Sequence, residues 1–505
     1  MKKKYQELKN RLAEISHINS AIALLTWDQS TYMPPKAGLA RGKQLANLTK
    51  IAHEKSTDAE LGKLLDELQT YSDSLDYDSD EASLIRVTRR NYEHAVKVPV
   101  PLMAEQSNHS TITFEMWKEA HEKNDFSLVQ PYLEKTLDIS RRIANCFPNY
   151  DHIADPLISF MDYGLKATEI KKLFATLREE LVPLVESITA QPETDDSCLR
   201  QFFHGDKQLM FSRHVSKRYG YDLERGRQDL APHPFVIKVA ANDVRLTSRF
   251  KERYLAENVL STMHETGHAL YEFGINPDYE GTPLNTGASV AVHESQSRLW
   301  ENIVGRSKEF WEHFYPQLQA IFPEQLESVP LDTFYRALNK VRRSYNRVEA
   351  DEVTYNLHVM IRFDFELDLL EGKLAVKDLP KAWQERYESD LGVTPPSDAD
   401  GVLQDIHWFA GMVGGYFQGY TLGNILSGQF YKVALKTHPE ITDEIGAGQF
   451  TTLHSWLKEN IYRHGQKYTT NELIKRVTGD DSIMVEPERK SLLFHVKASF
   501  DAHVK

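Results

Sequence analysis

Two histidines and a glutamate stand close together at residues 264–268, in the order His-Glu-Thr-Gly-His. On a helix, His264 and His268 lie one turn apart and project from the same face, so both imidazoles could bind one metal ion. Glu265 follows the first histidine and could reach a water molecule at that metal, where a carboxylate can act as a general base. A pattern this short also arises by chance, and two exposed histidines on a helix would produce it. By itself the segment therefore only suggests a zinc peptidase.

A catalytic zinc ion needs a third protein ligand, and the sequence offers a candidate later in the chain. Six residues after His268 stands Gly274, so the arrangement in which a third histidine completes the site is absent. Glu294 follows a loop rich in asparagine, proline and glycine, near the start of a second predicted helix, and its carboxylate could complete the site. The alternative is an exposed acid that pairs with Arg298 at i+4, and spacing alone does not separate the two interpretations.

The elements that must position these residues are predicted to be helices. Apolar residues recur at spacings of three and four through residues 255–273, and the glycine that follows is a typical helix terminator. Residues 233–250 instead contain two β-branched stretches in which apolar and polar residues alternate, on either side of Ala241-Asn242. This pattern predicts a short β-hairpin directly before the helix. Helical periodicity also covers residues 5–25, 45–68, 81–96, 101–123, 127–147, 168–188, 331–370 and 441–476. Because no Gly/Ser/Pro linker divides the chain, we predict one large all-α body, mostly helical, with a small hairpin or sheet beside the active site.

Composition excludes several classes of protein. The formal net charge is −13, which opposes binding to the phosphate backbone of nucleic acid. No stretch reaches the roughly 18 uninterrupted apolar residues of a membrane span. The N-terminal Met-Lys-Lys-Lys-Tyr is followed by charged residues rather than by the apolar core of a signal peptide. The two cysteines, Cys146 and Cys198, stand in unrelated contexts that fit reduced thiols. We predict a cytoplasmic protein that acts on neither nucleic acid nor membranes.

Residues 264–268, together with His-Glu-Ser-Gln-Ser-Arg at 293–298, resemble peptidase family M32, the thermostable carboxypeptidases. Further stretches match that family's signatures in its order: His-Pro-Phe at 233–235, Asp-Val-Arg-Leu-Thr at 243–247, Arg-Val-Glu-Ala-Asp at 347–351, and Gly-Val-Leu-Gln-Asp-Ile-His-Trp at 401–408. Asn346 is a small departure, because the family usually has an aliphatic residue there. The resemblance spans essentially the whole chain. It implies a single domain over residues 1–505 with a deep groove, a homodimer, one zinc ion that cobalt could replace, and release of single C-terminal residues from peptides.

The tetrahedral intermediate of peptide hydrolysis carries an oxyanion that needs a hydrogen-bond donor besides the metal. Residues 414–420 contain two tyrosines at i and i+4, and the resemblance favours Tyr420 over Tyr416. It also favours His407 as a group that bonds the substrate backbone or the intermediate. The alternatives are a tyrosine packed in a helical core and a structural histidine in an aromatic run.

A carboxypeptidase must recognise a free carboxylate, and arginine does this best through paired N–H groups. The resemblance assigns this role to Arg347, whose alternative is a helix salt bridge with Asp351 at i+4. Arg245 is the second candidate for substrate binding. It could line the groove or simply pair with Asp243, and we expect such a pair at the groove wall.

Two other functions stay open at this point. A thimet-type oligopeptidase or endopeptidase shares the His-Glu-x-x-His motif and the distal glutamate, but it would still cleave peptides whose C-terminus is blocked. A catalytically inactive helical protein that binds peptides belongs to another class, and it could contain no metal. Because the sequence keeps every candidate ligand and the candidate base, the inactive protein is disfavoured, and the resemblance to the M32 family favours the metallocarboxypeptidase.

Overall fold

The computed structural model describes residues 1–479, and over these residues the chain is mostly helical with one small sheet. The predicted fold class is therefore confirmed. None of the helices within residues 1–479 is long and apolar enough to cross a membrane. In chain order the helices are α1 (Lys2–Thr31), α2 (Gly38–Ser56), α3 (Ala59–Asp73), α4 (Asp80–Lys97), α5 (Val100–Lys123), α6 (Gln130–Ala144), α7 (Asp155–Met161), α8 (Ala167–Thr189), α9 (Gly205–Tyr219), α10 (Leu255–Gly274), α11 (Val290–Arg298), α12 (Lys308–Ile321), α13 (Pro323–Leu326), α14 (Leu331–Leu338), α15 (Tyr355–Glu371), α16 (Leu379–Leu391), α17 (His407–Ala410), α18 (Gln418–Thr437), α19 (Ile441–Gly446), α20 (Thr451–Asn460) and α21 (Thr470–Thr478).

The predicted hairpin is present, and a third strand extends it to a small sheet. The strands are β1 (Gln228–Leu230), β2 (Val236–Ala240) and β3 (Asp243–Ser248). They lie in the order β1-β3-β2, with β2 antiparallel and β1 parallel to β3. Val244 and Leu246 alternate onto one face of β3, where they are buried in a cluster with Tyr221 and Ala269. Because Ala269 belongs to α10, the sheet packs on the helix that carries the His-Glu-Thr-Gly-His segment.

The helix predicted over residues 331–370 is interrupted, and this part of the prediction is wrong. Helix α14 ends at Leu338, and α15 begins only at Tyr355. Between them, the Asp351 side chain accepts hydrogen bonds from three backbone N–H groups, so local side-chain bonds replace the helical backbone ladder. The prediction over residues 441–476 is also divided, into α19, α20 and α21, with a glycine in each break.

The described chain forms two compact units, each assembled from separate stretches of sequence. Unit 1 contains Met1–Val96, Asp195–Leu338 and residues 426–479, whereas unit 2 contains Lys97–Thr194 and Asn339–Ile425. Unit 1 therefore holds the sheet, α10 and α11, and unit 2 holds the other predicted site segments. A single domain over residues 1–505, whose last part lies outside the described residues, stays a prediction, and so does the deep groove.

Candidate metal centre and substrate-binding residues

Helices α10 and α11 of unit 1 bring together three side chains of types that can bind a metal ion. One carboxylate oxygen of Glu294 lies 3.6 Å from Nε2 of His264 and 3.5 Å from Nε2 of His268. One ligand atom from each residue lies within 4.8 Å of the other two, and no other such trio of histidine, cysteine or acidic side chains occurs within residues 1–479. Glu294 is buried, in contrast to the exposed acid that the sequence had left as an alternative.

The close approach of α10 and α11 depends on the glycine of the His-Glu-Thr-Gly-His segment. A Cβ atom at Gly267 would lie 2.5 Å from the carbonyl oxygen of Gln296 and 2.7 Å from Cα of Ser297. Both distances are far shorter than the roughly 3.5–4.0 Å at which carbon atoms pack, so only glycine allows this contact. At the start of α11, the Ser289 hydroxyl accepts a hydrogen bond from the backbone N–H of Val292 and caps the helix. These two features together position Glu294 opposite the histidines.

Gly267→Ala is expected to push α11 away from α10 and to weaken metal binding. The added methyl group meets backbone atoms that cannot rotate away, so we expect the free energy of unfolding to fall by roughly 1–3 kcal/mol. Thermal unfolding and zinc titration against a chelator measure the two effects. Gly42→Ala in α2 is the matched control, because no atom beyond its own helix backbone lies within 4 Å of the added Cβ. Wild-type stability and zinc affinity in Gly267→Ala would show that the contact is dispensable.

The second carboxylate oxygen of Glu294 accepts a hydrogen bond from Nε of Arg298 at 2.7 Å. The i+4 pair that the sequence left open is therefore present together with the approach to the histidines. Burial alone would raise the pKa of the Glu294 carboxyl. The Arg298 guanidinium and the two histidines outweigh burial and hold this pKa well below its ordinary value. Glu294 is therefore charged at neutral pH, as a carboxylate ligand must be.

The remaining ring nitrogens of both histidines contact side chains behind the site. Nδ1 of His264 lies 2.8 Å from a carboxylate oxygen of Glu301, and Nδ1 of His268 lies 2.6 Å from Nδ1 of His293. With Nδ1 occupied in this way, each imidazole presents Nε2 toward Glu294, which is the orientation that a shared metal ion requires. Two imidazoles and one carboxylate are also donors that zinc prefers. The residues present therefore fit the predicted ion.

Glu301 is a further residue of the candidate centre, and none of the sequence motifs indicated it. This residue stands in a π-helical turn, Leu299–Val304, that directly continues α11, and Nη1 of Arg298 lies 3.3 Å from its carboxylate. Burial would raise the pKa of Glu301, but Arg298 and His264 outweigh it, so the pKa lies below its ordinary value. The spacing of seven residues from Glu294 was the available signal, since i and i+7 share a helix face. Single π-helical turns are frequent at functional sites.

Glu265, the predicted base, lies on α10 beside the first histidine and is buried. Burial raises the pKa of its carboxyl to about 7. The His264 imidazole opposes this shift, whereas the carboxylates of Glu294 and Glu301 add to it. A carboxyl group whose pKa lies near neutrality can both accept and return a proton, which is the property expected of a general acid–base residue.

In unit 2, Arg347 is buried and is held by Asp405. Nε and Nη2 of Arg347 lie 2.9 and 2.7 Å from one carboxylate oxygen of Asp405, and Nη1 donates to the Tyr355 hydroxyl at 3.0 Å. The other Asp405 oxygen pairs with buried Arg362. Two guanidinium groups therefore share one carboxylate, and the cluster keeps an excess positive charge. The alternative salt bridge with Asp351 is wrong, because the contacts of that carboxylate are with its own loop.

The two other candidates of unit 2 contact each other. Nε2 of His407 lies 3.3 Å from the hydroxyl of Tyr420. The His407 ring also contacts Tyr416 and Phe417, with ring centroids 4.9 and 4.7 Å away. The guanidinium carbon of Arg347 lies 5.5 Å from the centroid of the Tyr420 ring. The structure therefore brings Arg347, His407 and Tyr420 into one cluster within unit 2.

Comparison with known proteins identifies the family. The family model for carboxypeptidase Taq (M32) metallopeptidase matches residues 7–490. The chain belongs to the M32 family. It is 37% identical over 486 residues to thermostable carboxypeptidase 1 of Thermus thermophilus, across 94% of this chain and 95% of that relative. It is 35% identical over 477 residues to carboxypeptidase 1 of Bacillus subtilis, again across 94% of this chain and 95% of the relative. The solved M32 carboxypeptidase of Deinococcus radiodurans R1 has a TM-score of 0.96 at 43% identity and covers 100% of both chains.

Membership of the M32 family confirms the resemblance that the sequence motifs indicated. It supports a carboxypeptidase activity, hence a peptide hydrolase with peptide substrates, and a metallopeptidase family implies a metal ion. Within residues 1–479, the donors suited to that ion are His264, His268 and Glu294.

The hairpin of this M32 chain contains the other predicted substrate-binding residue. Arg245 on β3 donates from Nε and Nη2 to the two carboxylate oxygens of Asp243, each at 2.7 Å. The expected pair is confirmed, and its place at a groove wall stays a prediction. Because one carboxylate balances one guanidinium here, Arg245 has less excess charge to offer a substrate than the Arg347 cluster has.

A buried carboxyl group in unit 2 supports the segment that leads to Tyr420. Glu366 on α15 accepts a hydrogen bond from Nε1 of Trp408 at 2.9 Å, and the backbone N–H of Gly414 also reaches this carboxyl. The next turn requires glycine, because φ is +98° at Gly414 and +86° at Gly415. Burial raises the pKa of Glu366 to about 8, so a mostly neutral carboxylic acid holds this turn at neutral pH.

Glu366→Gln is expected to change how stability depends on pH. The folded protein keeps the Glu366 proton up to about pH 8, whereas the unfolded chain loses it near 4.5, so the free energy of unfolding falls as pH rises between these values. The contribution is at most about 1.4 kcal/mol per pH unit. Urea unfolding at several pH values should show that wild type loses stability relative to Glu366→Gln between pH 5 and 8. A constant difference between the two proteins would contradict the raised pKa.

Proposed function

We propose that this M32 chain is a zinc-dependent carboxypeptidase that releases single C-terminal residues from peptides with broad specificity. The observation that carries the proposal is the donor set of unit 1, in which His264, His268 and Glu294 converge beside buried Glu265. Family membership supports the class of reaction. The nitrogen and carboxylate donors support zinc, which cobalt could replace in the same donor set.

Under this proposal the two imidazoles and the Glu294 carboxylate hold the ion. Arg298 and Glu301 keep these donors in place, since Arg298 fixes one oxygen of Glu294 and Glu301 fixes the His264 ring. Zinc supplies Lewis-acid activation of water and of the scissile carbonyl when it is bound. Three protein ligands are the number typical of catalytic zinc sites, in contrast to the four of structural sites.

Glu265 is the proposed general base and acid. Its carboxylate would accept the proton of the attacking water molecule and then deliver that proton to the leaving amine of the cleaved peptide. The support for this role is its position, one residue after His264 on the same helix, and its burial. A buried base keeps bulk water from competing for the proton.

Arg347 is the proposed anchor for the terminal carboxylate of the substrate. A carboxylate that enters a buried environment must be paired, because otherwise its desolvation is not offset. The guanidinium has five N–H donors, and the contacts with Asp405 and Tyr355 use three of them. The donors that remain, and the excess charge shared with Arg362, suit a second carboxylate.

Tyr420 and His407 are proposed to bind the reacting part of the substrate. The Tyr420 hydroxyl would donate to the oxyanion, and His407 would hydrogen-bond the substrate backbone or the intermediate. Their mutual contact supports a common role, because each orients the polar atom of the other. Arg245 is proposed to line the substrate groove from β3.

A homodimer in the cytoplasm completes the proposal, with neither nucleic acid nor membranes as partners. The homodimer rests on the family resemblance. The cytoplasmic location and the absence of nucleic-acid partners rest on the two free cysteines and on the net charge of −13. Light scattering on the purified chain, read as the mass of one or two chains, tests the assembly.

Arg347→Ala is expected to keep its metal and to cleave free peptides poorly. Loss of a buried charged pair with the substrate costs about 2–4 kcal/mol, which corresponds to roughly 30- to 1000-fold in kcat/KM. The measurement compares one short peptide as free acid and as C-terminal amide, on wild type and on the variant. Wild type should strongly prefer the free acid, and the variant should discriminate much less.

Arg245→Ala is measured beside it as the competing anchor, and we expect it to keep more of the preference for the free acid, because Asp243 already balances its guanidinium. Equal wild-type rates on the acid and the amide would contradict a carboxypeptidase and favour an oligopeptidase. A normal preference for the free acid in Arg347→Ala, with the preference lost in Arg245→Ala, would move the anchor to Arg245.

A further inference from the structure

A chain of polar side chains extends behind the second histidine of the candidate metal centre. Nδ1 of His268 lies 2.6 Å from Nδ1 of His293, and Nε2 of His293 lies 2.8 Å from a carboxylate oxygen of Glu272. The other oxygen of Glu272 lies 3.0 Å from Nζ of Lys238 on β2. We call His293, Glu272 and Lys238 the His293 relay. It connects the metal centre to the sheet through side chains of unit 1.

The order of donors and acceptors in this chain follows from the metal. If Nε2 of His268 gives its lone pair to an ion, then its proton must be on Nδ1. The contact with Nδ1 of His293 can be a hydrogen bond only when that atom accepts, so the His293 proton must be on Nε2. There it donates to the carboxylate of Glu272. Every link then contains one proton, and this order of donors and acceptors matches His268 in the form that binds metal.

The structure around the relay fixes its members. The side chains of Glu272 and Lys238 are 7% and 12% exposed, so the ion pair is largely removed from water. Lys238 also donates to the side-chain oxygen of Asn285 at 2.7 Å. A Cβ atom at Gly287 would lie 2.7 Å from Cδ2 of His293, so the His293 ring occupies space that only glycine leaves free.

The two histidines of the metal centre are therefore supported in different ways. His264 has a carboxylate, Glu301, directly on Nδ1, which is the usual arrangement behind a histidine ligand. His268 has a second imidazole in that place, with the carboxylate of Glu272 one step further away. His293 therefore occupies, behind His268, the position that the Glu301 carboxylate occupies behind His264.

We propose that His293 is a positioning residue that keeps the proton of His268 on Nδ1 and so sets the affinity of the centre for its metal ion, with Glu272 and Lys238 fixing the orientation of His293. This inference rests on the proposed function, because it requires that His268 binds the ion. It explains why a polar side chain of β2 connects to the candidate active site and why residue 287 is a glycine.

The test measures zinc affinity by competition with a chromophoric chelator, in wild type, His293→Ala and His454→Gln. We expect His293→Ala to bind zinc roughly 10- to 100-fold more weakly, the usual cost of removing such a partner. Added imidazole should fill the vacated space and restore most of the affinity. His454→Gln is the control, because this histidine packs its ring on Trp300 and Tyr462 and should leave zinc affinity within about twofold of wild type.

A second variant separates positioning from general damage to the fold. Gly287→Ala keeps every hydrogen-bonding group but places a methyl group against the His293 ring. We expect weaker zinc binding that imidazole does not restore, because the His293 ring still fills its site. The visible spectrum of the cobalt-substituted protein should change in both variants and stay unchanged in His454→Gln, since it reports the geometry of the ligands.

The outcomes distinguish this inference from the proposed function. If wild type shows no zinc binding that His268→Ala removes, the proposed metal centre is wrong. If wild type binds zinc there, but His293→Ala and Gly287→Ala keep its affinity and its cobalt spectrum, the His293 relay has no role in holding the metal. Weaker binding in His293→Ala without rescue by imidazole would also overturn the relay, because it would indicate damage to the fold.

Discussion

Glu265→Gln is expected to keep the metal ion and to lose turnover by roughly 10²- to 10⁴-fold, the usual contribution of a general base. The amide has nearly the same shape as the carboxyl group but cannot accept the proton of the attacking water molecule. The proposed ligands His264, His268 and Glu294 are untouched, so metal content should stay at the wild-type level. Metal analysis of the purified variant and its kcat on a short free-acid peptide measure both quantities.

A control on the same helix separates this loss from a general effect of removing a carboxylate from α10. Glu257→Gln removes a carboxylate that pairs with Arg249 and Lys251, and it is expected to keep near wild-type turnover. If Glu265→Gln retains near wild-type turnover with metal bound, Glu265 is not the base. If Glu265→Gln loses its metal, the residue holds the centre together instead of transferring protons.

Removal of a proposed metal ligand is expected to have the other large effect. Glu294→Ala should lose stoichiometric metal and essentially all activity, because two imidazoles alone leave the ion without its carboxylate donor. His264→Ala and His268→Ala should behave in the same way. We would measure metal content after gel filtration and turnover with added zinc. Glu294→Gln tests whether the charge of the carboxylate is needed, because the amide has nearly the same shape.

Ser295→Ala is the matched control on α11, since the Ser295 hydroxyl donates to the Val292 carbonyl and is not one of the three converging donors. This variant should keep both metal and activity. Full metal occupancy and full activity in Glu294→Ala would remove Glu294 as the third ligand, and Glu301, which already contacts His264, would be the next candidate.

The helix that carries His264 and His268 could be predicted from the sequence because the residues that define it are local. Residues four apart on a helix share a face, so the pairing of His264 with His268 followed from spacing alone. Glu294 could be named only as one of two interpretations, and the structure shows both contacts at once, since its two oxygens face different partners. Helical spacing predicts the face of the helix on which a residue lies. It does not predict that the two oxygens of one carboxylate contact different partners.

Other features depend on contacts that sequence spacing does not contain. Arg347 pairs with Asp405, which is 58 positions away, and not with the residue at i+4. The i, i+7 spacing from Glu294 indicates a shared helix face for Glu301, but it does not indicate the contact of Glu301 with His264 of another helix. The break between α14 and α15 arises because Asp351 bonds backbone N–H groups of its own loop. In each case a tertiary or side-chain bond overrides the local pattern.

Under the proposed function, a metal ion held by unit 1 drives removal of residues from the C-terminus of peptides. The most direct test is mass spectrometry of the products from a short free-acid peptide over time, with and without a chelator. The proposed function predicts a ladder of products that lose one C-terminal residue at a time, with an intact N-terminus. The chelator should abolish the ladder, and added zinc should restore it. Internal fragments as first products, or a ladder that the chelator leaves unchanged, would contradict the claim.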